Sequence, residues 1–222
     1  MKSKPPIMIS EVRSKIERLK ELGDEGFNIP RFCFAISRAP EPIIVEVLNW
    51  AGEIYNQNPE QIFNIRTYKR SEKFGKESLG TIHSTDIIFT DLQKELLRLN
   101  DQFDCMIDAE TPEDGRMAGN VAILDRPFQD AEYVIEFCSK HKRAMVRDAD
   151  RHISGRLIDF PENFTHHKAG YLYVQEEEIL KEVLEKALKF RRKNVILEWT
   201  YFYKPAGIKL ENIVWWEYRK YG

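Results

Sequence analysis

Arg66 ends the apolar run "IFNIR" and is followed at once by "TYKRSEKFGKESLGTIHST". An arginine just past a strand offers a fixed fork of N–H donors that matches phosphate oxygens. The small residues behind it, Ser78, Gly80 and Thr85 among them, let backbone N–H groups approach a bound anion. The same residues also suit a solvated surface turn, so the segment by itself admits both chemistries. A second basic stretch, Lys140 to Arg151, could meet RNA or another polyanion. It carries Asp148 and Asp150 as well, and it has no interleaved aromatic residues of the kind that stack on bases.

The totals narrow the function class. Lys and Arg number 34 against 36 Asp and Glu, a net charge of −2, so no global field draws the chain to nucleic acid or to an acidic membrane. Three cysteines, Cys33, Cys105 and Cys138, stand far apart without a CxxC pair. That pattern favours reduced thiols in a cytoplasmic protein over a disulfide framework or a zinc site. No apolar stretch approaches the roughly 20 residues that a spanning helix requires. A soluble protein without a membrane partner is expected.

These groups need elements to position them. Val12, Ile16, Leu19 and Leu22 follow helical spacing in "SEVRSKIERLKELG", with Ser10 as cap and Gly23 as stop. "RFCFAI" reads as a strand, and "PIIVEVLNWAGEIYN" reads as a helix with Pro42 in its first turn. "TDLQKELLRLN" reads as a helix capped by Thr90. "FDCMIDA" and "MAGNVAIL" read as an antiparallel pair across a turn supplied by Pro112, Asp114 and Gly115. "EYVIEFC" and "RAMVR" look like further strands. "QEEEILKEVLEKALKFRRK" is acidic at its start and basic at its end, as a helix dipole favours. "NVILEWTYFY" and "NIVWWEYR" are the last two strands. The expected fold class is α+β, with antiparallel sheets and flanking helices in two lobes, 1–90 and 91–222.

In this framework the chain resembles the ATP-binding part of phosphoenolpyruvate synthase and pyruvate phosphate dikinase, of the ATP-grasp class. The family carries a strand, then R-S-S-A-x-x-E-D, then S-F-A-G, then a Thr. Arg66, Glu72, Ser78 and Thr85 stand at those places without a gap. Upstream, "KIERL" and "GFNIP" stand where the family has K-G-x-N-L and a G-x-P/N-V-P segment, which puts Lys15 at the ATP-contacting lysine. Downstream, "ILEW" and "WEYR" stand for D-I-E-W and Q-x-R-P. "YVIEF" is similar to the strand carrying I-E-A, with Glu136 at the acidic position.

The resemblance implies ATP and Mg²⁺ as cofactors, with Lys15, Arg66, Ser78, Thr85 and Glu136 on the nucleotide. It implies Glu198 and Glu217 as metal ligands, and Arg66 and Arg219 as the residues that act on the phosphates. Alternation along the last strand would put Glu217 and Arg219 on one face with Trp215. If the two strands pair, Glu198 lies across from Glu217, and two such carboxylates repel unless a cation or proton lies between them. The implied activity is an ATP-dependent phosphotransferase or ligase.

Departures limit what the family's chemistry implies. Ile196 replaces the family's Asp, Glu217 replaces its Gln, and the G-L-G-E loop after I-E-A is missing. Neither the swivelling phosphohistidine domain nor the pyruvate-binding barrel follows Arg219, so the family's full reaction calls for a separate phosphoacceptor protein or domain. Two other readings stand beside the first: a degenerate nucleotide- or partner-binding module without turnover, and a polyanion binder using the 140–151 cluster.

Overall fold

A computed structural model describes residues 18–68, 83–110, 116–128, 130–141, 151–162, 164, 174–190, 194–202 and 212–220. The chain divides into two compact units, one of residues 1–16 and 30–112, the other of residues 17–29 and 113–222. Both are α+β, with helices against antiparallel sheets.

The first unit holds β1 (Phe32–Ala35), α2 (Glu41–Gln57), β2 (Ile62–Tyr68), β3 (His83–Ile88), α3 (Phe89–Asn100) and β4 (Asp104–Glu110). Its four strands form an antiparallel sheet in the order β1-β4-β2-β3. Apolar residues at helical spacing explain the packing. Ile44, Val47, Ala51 and Ile54 of α2 share one core with Leu92, Leu96 and Leu99 of α3 and with Phe63, Ile65, Cys105 and Ile107 of the sheet. α2 starts where Pro42 supplies a pre-set φ without losing an intrahelical bond. α3 starts differently from the sequence expectation. Strand β3 runs straight into it, extended Ile88 is its cap residue, and Thr90 lies inside the first turn.

The second unit opens with helix α1, described over 18–24. Gly26, not Gly23, ends this helix. Gly26 has φ +85°, Phe27 N–H donates to the Leu22 carbonyl, and Gly26 N–H donates to that of Gly23. This is the paired-bond stop that needs a left-handed residue, which glycine adopts without a Cβ clash. The sheet that follows has five antiparallel strands in the order β7-β6-β5-β8-β9: β5 (Arg116–Phe128), β6 (Ala131–His141), β7 (Arg151–Gly155), β8 (Val195–Tyr201) and β9 (Ile213–Lys220). Helix α4 (Val174–Leu188) lays Ile179, Leu180, Val183, Leu184 and Ala187 against its inner face. There they meet Val121, Ile135, Phe137, Leu197, Trp199 and Trp215.

The expected pairing of "FDCMIDA" with "MAGNVAIL" does not occur. β4 pairs with β1 and β2, and β5 pairs with β6 and β8. Turn residues between two strands permit a hairpin, but each strand takes the sheet whose core its own apolar face completes. Cys105 and Ile107 join one core, while Met117 and Val121 join the other. The expected strand "RAMVR" and the loop after Tyr68 fall outside the described residues. Strands β3 and β7 were not expected from the sequence.

Candidate functional site

The outer face of the five-stranded sheet carries a continuous polar line. Registered Cα partners run His152–Glu136–Asn120–Glu198–Glu217 across β7, β6, β5, β8 and β9. Directly opposed residues of antiparallel strands share a face, and alternation sends their neighbours Ile153, Ile135, Val121 and Leu197 into the core. One stripe of five side chains is therefore drawn from strands up to a hundred residues apart in sequence.

Glu198 and Glu217 do lie opposite each other. The route to that pairing differs from simple alternation. The register shifts between Glu198 and Trp199, which pair with Glu217 and Trp215 respectively, so β9 has an extra residue at Trp216. The bulge puts Trp215 in the core and Glu217 on the outer face, where strict alternation would have put both on one side. Trp216 Nε1 donates to Thr200 Oγ1 at 2.8 Å.

Each carboxylate also meets an arginine. Arg219 approaches Glu198 with 3.9 Å between Nη2 and Oε2, and Arg18 of α1 approaches Glu217 with 3.7 Å between Nη2 and Oε1. Both distances are long for a charge-assisted hydrogen bond, which is usually about 2.7–2.9 Å. Two acids and two guanidinium groups thus balance in charge at this end of the face. Beside them Asn120 is 7% exposed, and its Oδ1 is buried without a hydrogen-bond partner among the described residues.

Hard oxygen donors of this kind suit Mg²⁺, which prefers one or two carboxylates with neutral oxygens completing its shell. Among the described residues no group of three or more His, Cys, Asp or Glu is arranged to hold a metal ion. The two glutamates and the orphaned amide oxygen still fit the ion the sequence resemblance implies.

A separate polar network stands in the four-stranded sheet, on the face away from α2 and α3. Asp108 is completely buried, and its Oδ2 accepts from Arg66 Nε at 2.8 Å. Its Oδ1 accepts from Asn64 Nδ2 at 3.0 Å, and Asn64 Oδ1 accepts from the Asp86 backbone N–H at 3.3 Å. Arg66 is thus held by a carboxylate on the adjacent strand. The same carboxylate bears on Cys33: burial first and Asp108 second push its thiol well above the usual range.

Of the other residues singled out by sequence, Thr85 is exposed on strand β3 instead of lying in a loop, and Glu136 is exposed on β6. Lys15 and Ser78 lie outside the described residues. So does most of the 140–151 cluster. Its last member, Arg151, makes a two-pronged pair with buried Glu176 of α4 at 2.6 and 3.0 Å and lies over the Phe137 ring.

No protein-family model matches the chain, and no curated protein does. Solved structures with a similar course include a macrocyclase, MdnC of Microcystis aeruginosa, bound with its precursor peptide. It is 13% identical with a TM-score of 0.48, over 99% of this chain and 56% of that one. The D-Ala:D-Ser ligase VanG of Enterococcus faecalis is 14% identical with a TM-score of 0.45, over 93% of this chain and 52% of that one. A peptide-associated ATP-grasp ligase of Chryseobacterium gregarium, in complex with ADP and peptide, is 12% identical with a TM-score of 0.41, over 99% and 55%. The chain spans just over half the length of each of these.

Sequence reading missed four residues of these two constellations, Arg18, Asn64, Asp108 and Asn120, of which Asn64 is the one amide within "IFNIR". Arg18 stands three places after Lys15 in the sequence, and the family motif points to the lysine. Asn120 is the one amide within the apolar run "MAGNVAIL", and Asp108 is the one acid within "CMIDA". A lone polar residue inside a strand that is otherwise apolar was the available signal.

Proposed function

We propose that the outer face of the five-stranded sheet binds ATP with Mg²⁺, and that the chain acts as an ATP-dependent ligase or phosphotransferase of the ATP-grasp type. The observation that carries this reading is the registered Glu198–Glu217 pair with an arginine beside each acid. Glu198 and Glu217 would hold the ion, which would supply positive charge to offset that of the phosphates. Arg219, an exposed guanidinium in reach of the same face, supplies a directional anion contact, and Arg18 supplies a second. Both arginines exchange a loose carboxylate contact for a phosphate one, so the site needs no new charge to receive an anion. Glu136, further along the line, is assigned to the nucleotide. Phosphoryl transfer needs little covalent help from protein, so positioning and charge balance are the contributions this chain makes. In the first unit, Arg66 is assigned an anion contact of its own.

A second reading has its own support. Among the described residues the two acids at this end of the face are already matched by two arginines, as in a module that kept its fold and lost turnover. Calorimetric titration with Mg·ATP, and with ATP in excess EDTA, separates the two. Metal-dependent binding that disappears in Glu198→Ala is the expected result. Nucleotide binding that ignores both EDTA and Glu198→Ala sinks the metal role. No binding by folded protein favours the scaffold.

A further inference from the structure

We propose that Asn120 is a third oxygen ligand for the cation held by Glu198 and Glu217, an inference that rests on the nucleotide–metal reading above. Three observations meet at this residue. Its Oδ1 is buried and has no hydrogen-bond partner among the described residues. Its Cα is registered with Glu198 on one side and Glu136 on the other, on the face that carries both metal-candidate acids. Both flanking side chains are carboxylates, which accept and do not donate.

A buried acceptor between acceptors is costly, about 1–3 kcal/mol in mutational terms, and no protein group in this line relieves it. What relieves it is a donor or a cation. Neighbouring strands lie about 4.8 Å apart, so Asn120 and Glu217 flank Glu198 by one strand spacing each. An ion above Glu198 is then in reach of all three side chains. Glu136 stands two strands from Glu198, and among the described residues no third carboxylate, histidine or thiol groups with the two acids, so a neutral amide oxygen fills that role. One neutral and two anionic oxygens also leave room for nucleotide phosphates and water in the remaining positions of an octahedral ion.

The choice of asparagine follows from packing as much as from charge. Gly119, next to it, brings β5 so close to β6 that a Cβ there would sit 1.8 Å from the Glu136 carbonyl oxygen. The backbone beneath Asn120 is therefore fixed, and a short side chain on it has few positions to sample. A rigid, pre-placed oxygen is what an ion with strict geometry requires.

The test is Mn²⁺ binding in the absence of nucleotide, read by the electron paramagnetic resonance of free Mn²⁺ and by the rise in Tm that the ion produces. It compares wild type, Glu198→Gln, Asn120→Leu and Asn120→Asp. The expected result is loss of binding in Glu198→Gln and at least about tenfold weaker binding in Asn120→Leu. Asn120→Asp, which keeps an oxygen and adds charge, binds as tightly as wild type or more so. Without metal, Asn120→Leu melts no lower than wild type, because it removes the unpartnered acceptor. Should Leu fail to fold, Asn120→Ala carries the same expectation. Binding that Glu198→Gln abolishes but neither Asn120→Leu nor Asn120→Ala weakens overturns this inference and leaves the metal reading standing. No Mn²⁺ binding by wild type, with or without ATP, overturns both.

Discussion

Gly119 and the Glu136 carbonyl are in such close approach that any side chain at position 119 would overlap the neighbouring strand. A Cβ there would lie 1.8 Å from the carbonyl oxygen, 2.8 Å from its carbon and 2.9 Å from Phe137 Cα. All three are backbone atoms, so no rotamer change relieves the overlap and β5 must part from β6. Gly119→Ala is expected to lose roughly 3 kcal/mol or more. Urea denaturation followed by circular dichroism measures it, and a wild-type midpoint would show that the strands can separate at little cost.

Arg66 and Asp108 give the second expectation. The aspartate is fully buried, while Arg66 is partly exposed. Removing the arginine leaves a buried charge with Asn64 as its remaining hydrogen-bond donor among the described residues. Arg66→Ala should therefore cost about 3 kcal/mol, the range for breaking a buried pair from one side. Replacing both, as Arg66→Met with Asp108→Asn, should cost less than Arg66→Ala alone. A double variant weaker than the single one would show that Asp108 does not depend on Arg66. The anion contact assigned to Arg66 is tested by pyrophosphate binding in Arg66→Lys, which keeps the charge but loses the fork and should bind more weakly.

Arg219 and Glu198 predict effects of opposite sign on two ligands. Arg219→Met relieves the competition for Glu198, so binding of Mn²⁺ alone should tighten, by up to about fivefold for a pair worth at most about 1 kcal/mol. Binding of Mg·ATP should weaken, because the phosphate contact is gone. Both affinities come from the same calorimetric series. Parallel changes in the two would mean that Arg219 serves the structure of β9 and not the ligand.

Cys105 ties stability to alkaline pH. Burial, the largest influence, pushes its thiol up to about 12. In the unfolded chain it ionises near an ordinary value of about 8.5. The folded value is the higher one, so the native state keeps its proton where the unfolded state has lost it. Stability from this group is complete below about pH 8.5 and falls as pH rises from there toward 12, by roughly 1.4 kcal/mol per unit. Cys105→Ala should flatten that decline between pH 8.5 and 10.5 in urea titrations, although it lowers stability at neutral pH by opening a small cavity. An unchanged slope would mean that the thiol ionises equally in both states.

Much of the framework is legible in local pattern. The apolar spacing of α2, α3 and α4 needs nothing beyond the residues themselves, because a 3.6-residue period marks one buried stripe wherever the helix sits. The strands β1, β2, β4, β5, β6, β8 and β9 are likewise readable from β-branched and aromatic runs. Caps were less legible. Thr90 has the right chemistry for an N-cap, yet the strand ahead of it already delivers an extended residue at Ile88. Gly23 and Gly26 are equally permissive, and only the backbone course decides which one takes positive φ.

The sequence by itself determined the α+β class and the individual elements that bear Glu198, Glu217 and Arg219. It also determined the proposal that two acids could face each other, since that requires only that two adjacent strands pair. Tertiary structure decided the rest. It assigned β4 and β5 to different sheets despite good turn residues between them, because strand partners are chosen by which core is completed. It placed the bulge at Trp216 that turns Glu217 away from the side of Trp215. It brought Arg18 beside Glu217 from nearly two hundred residues away, and it left the Asn120 oxygen buried between two carboxylates. Register and burial are properties of the assembled sheet, and no single strand carries them.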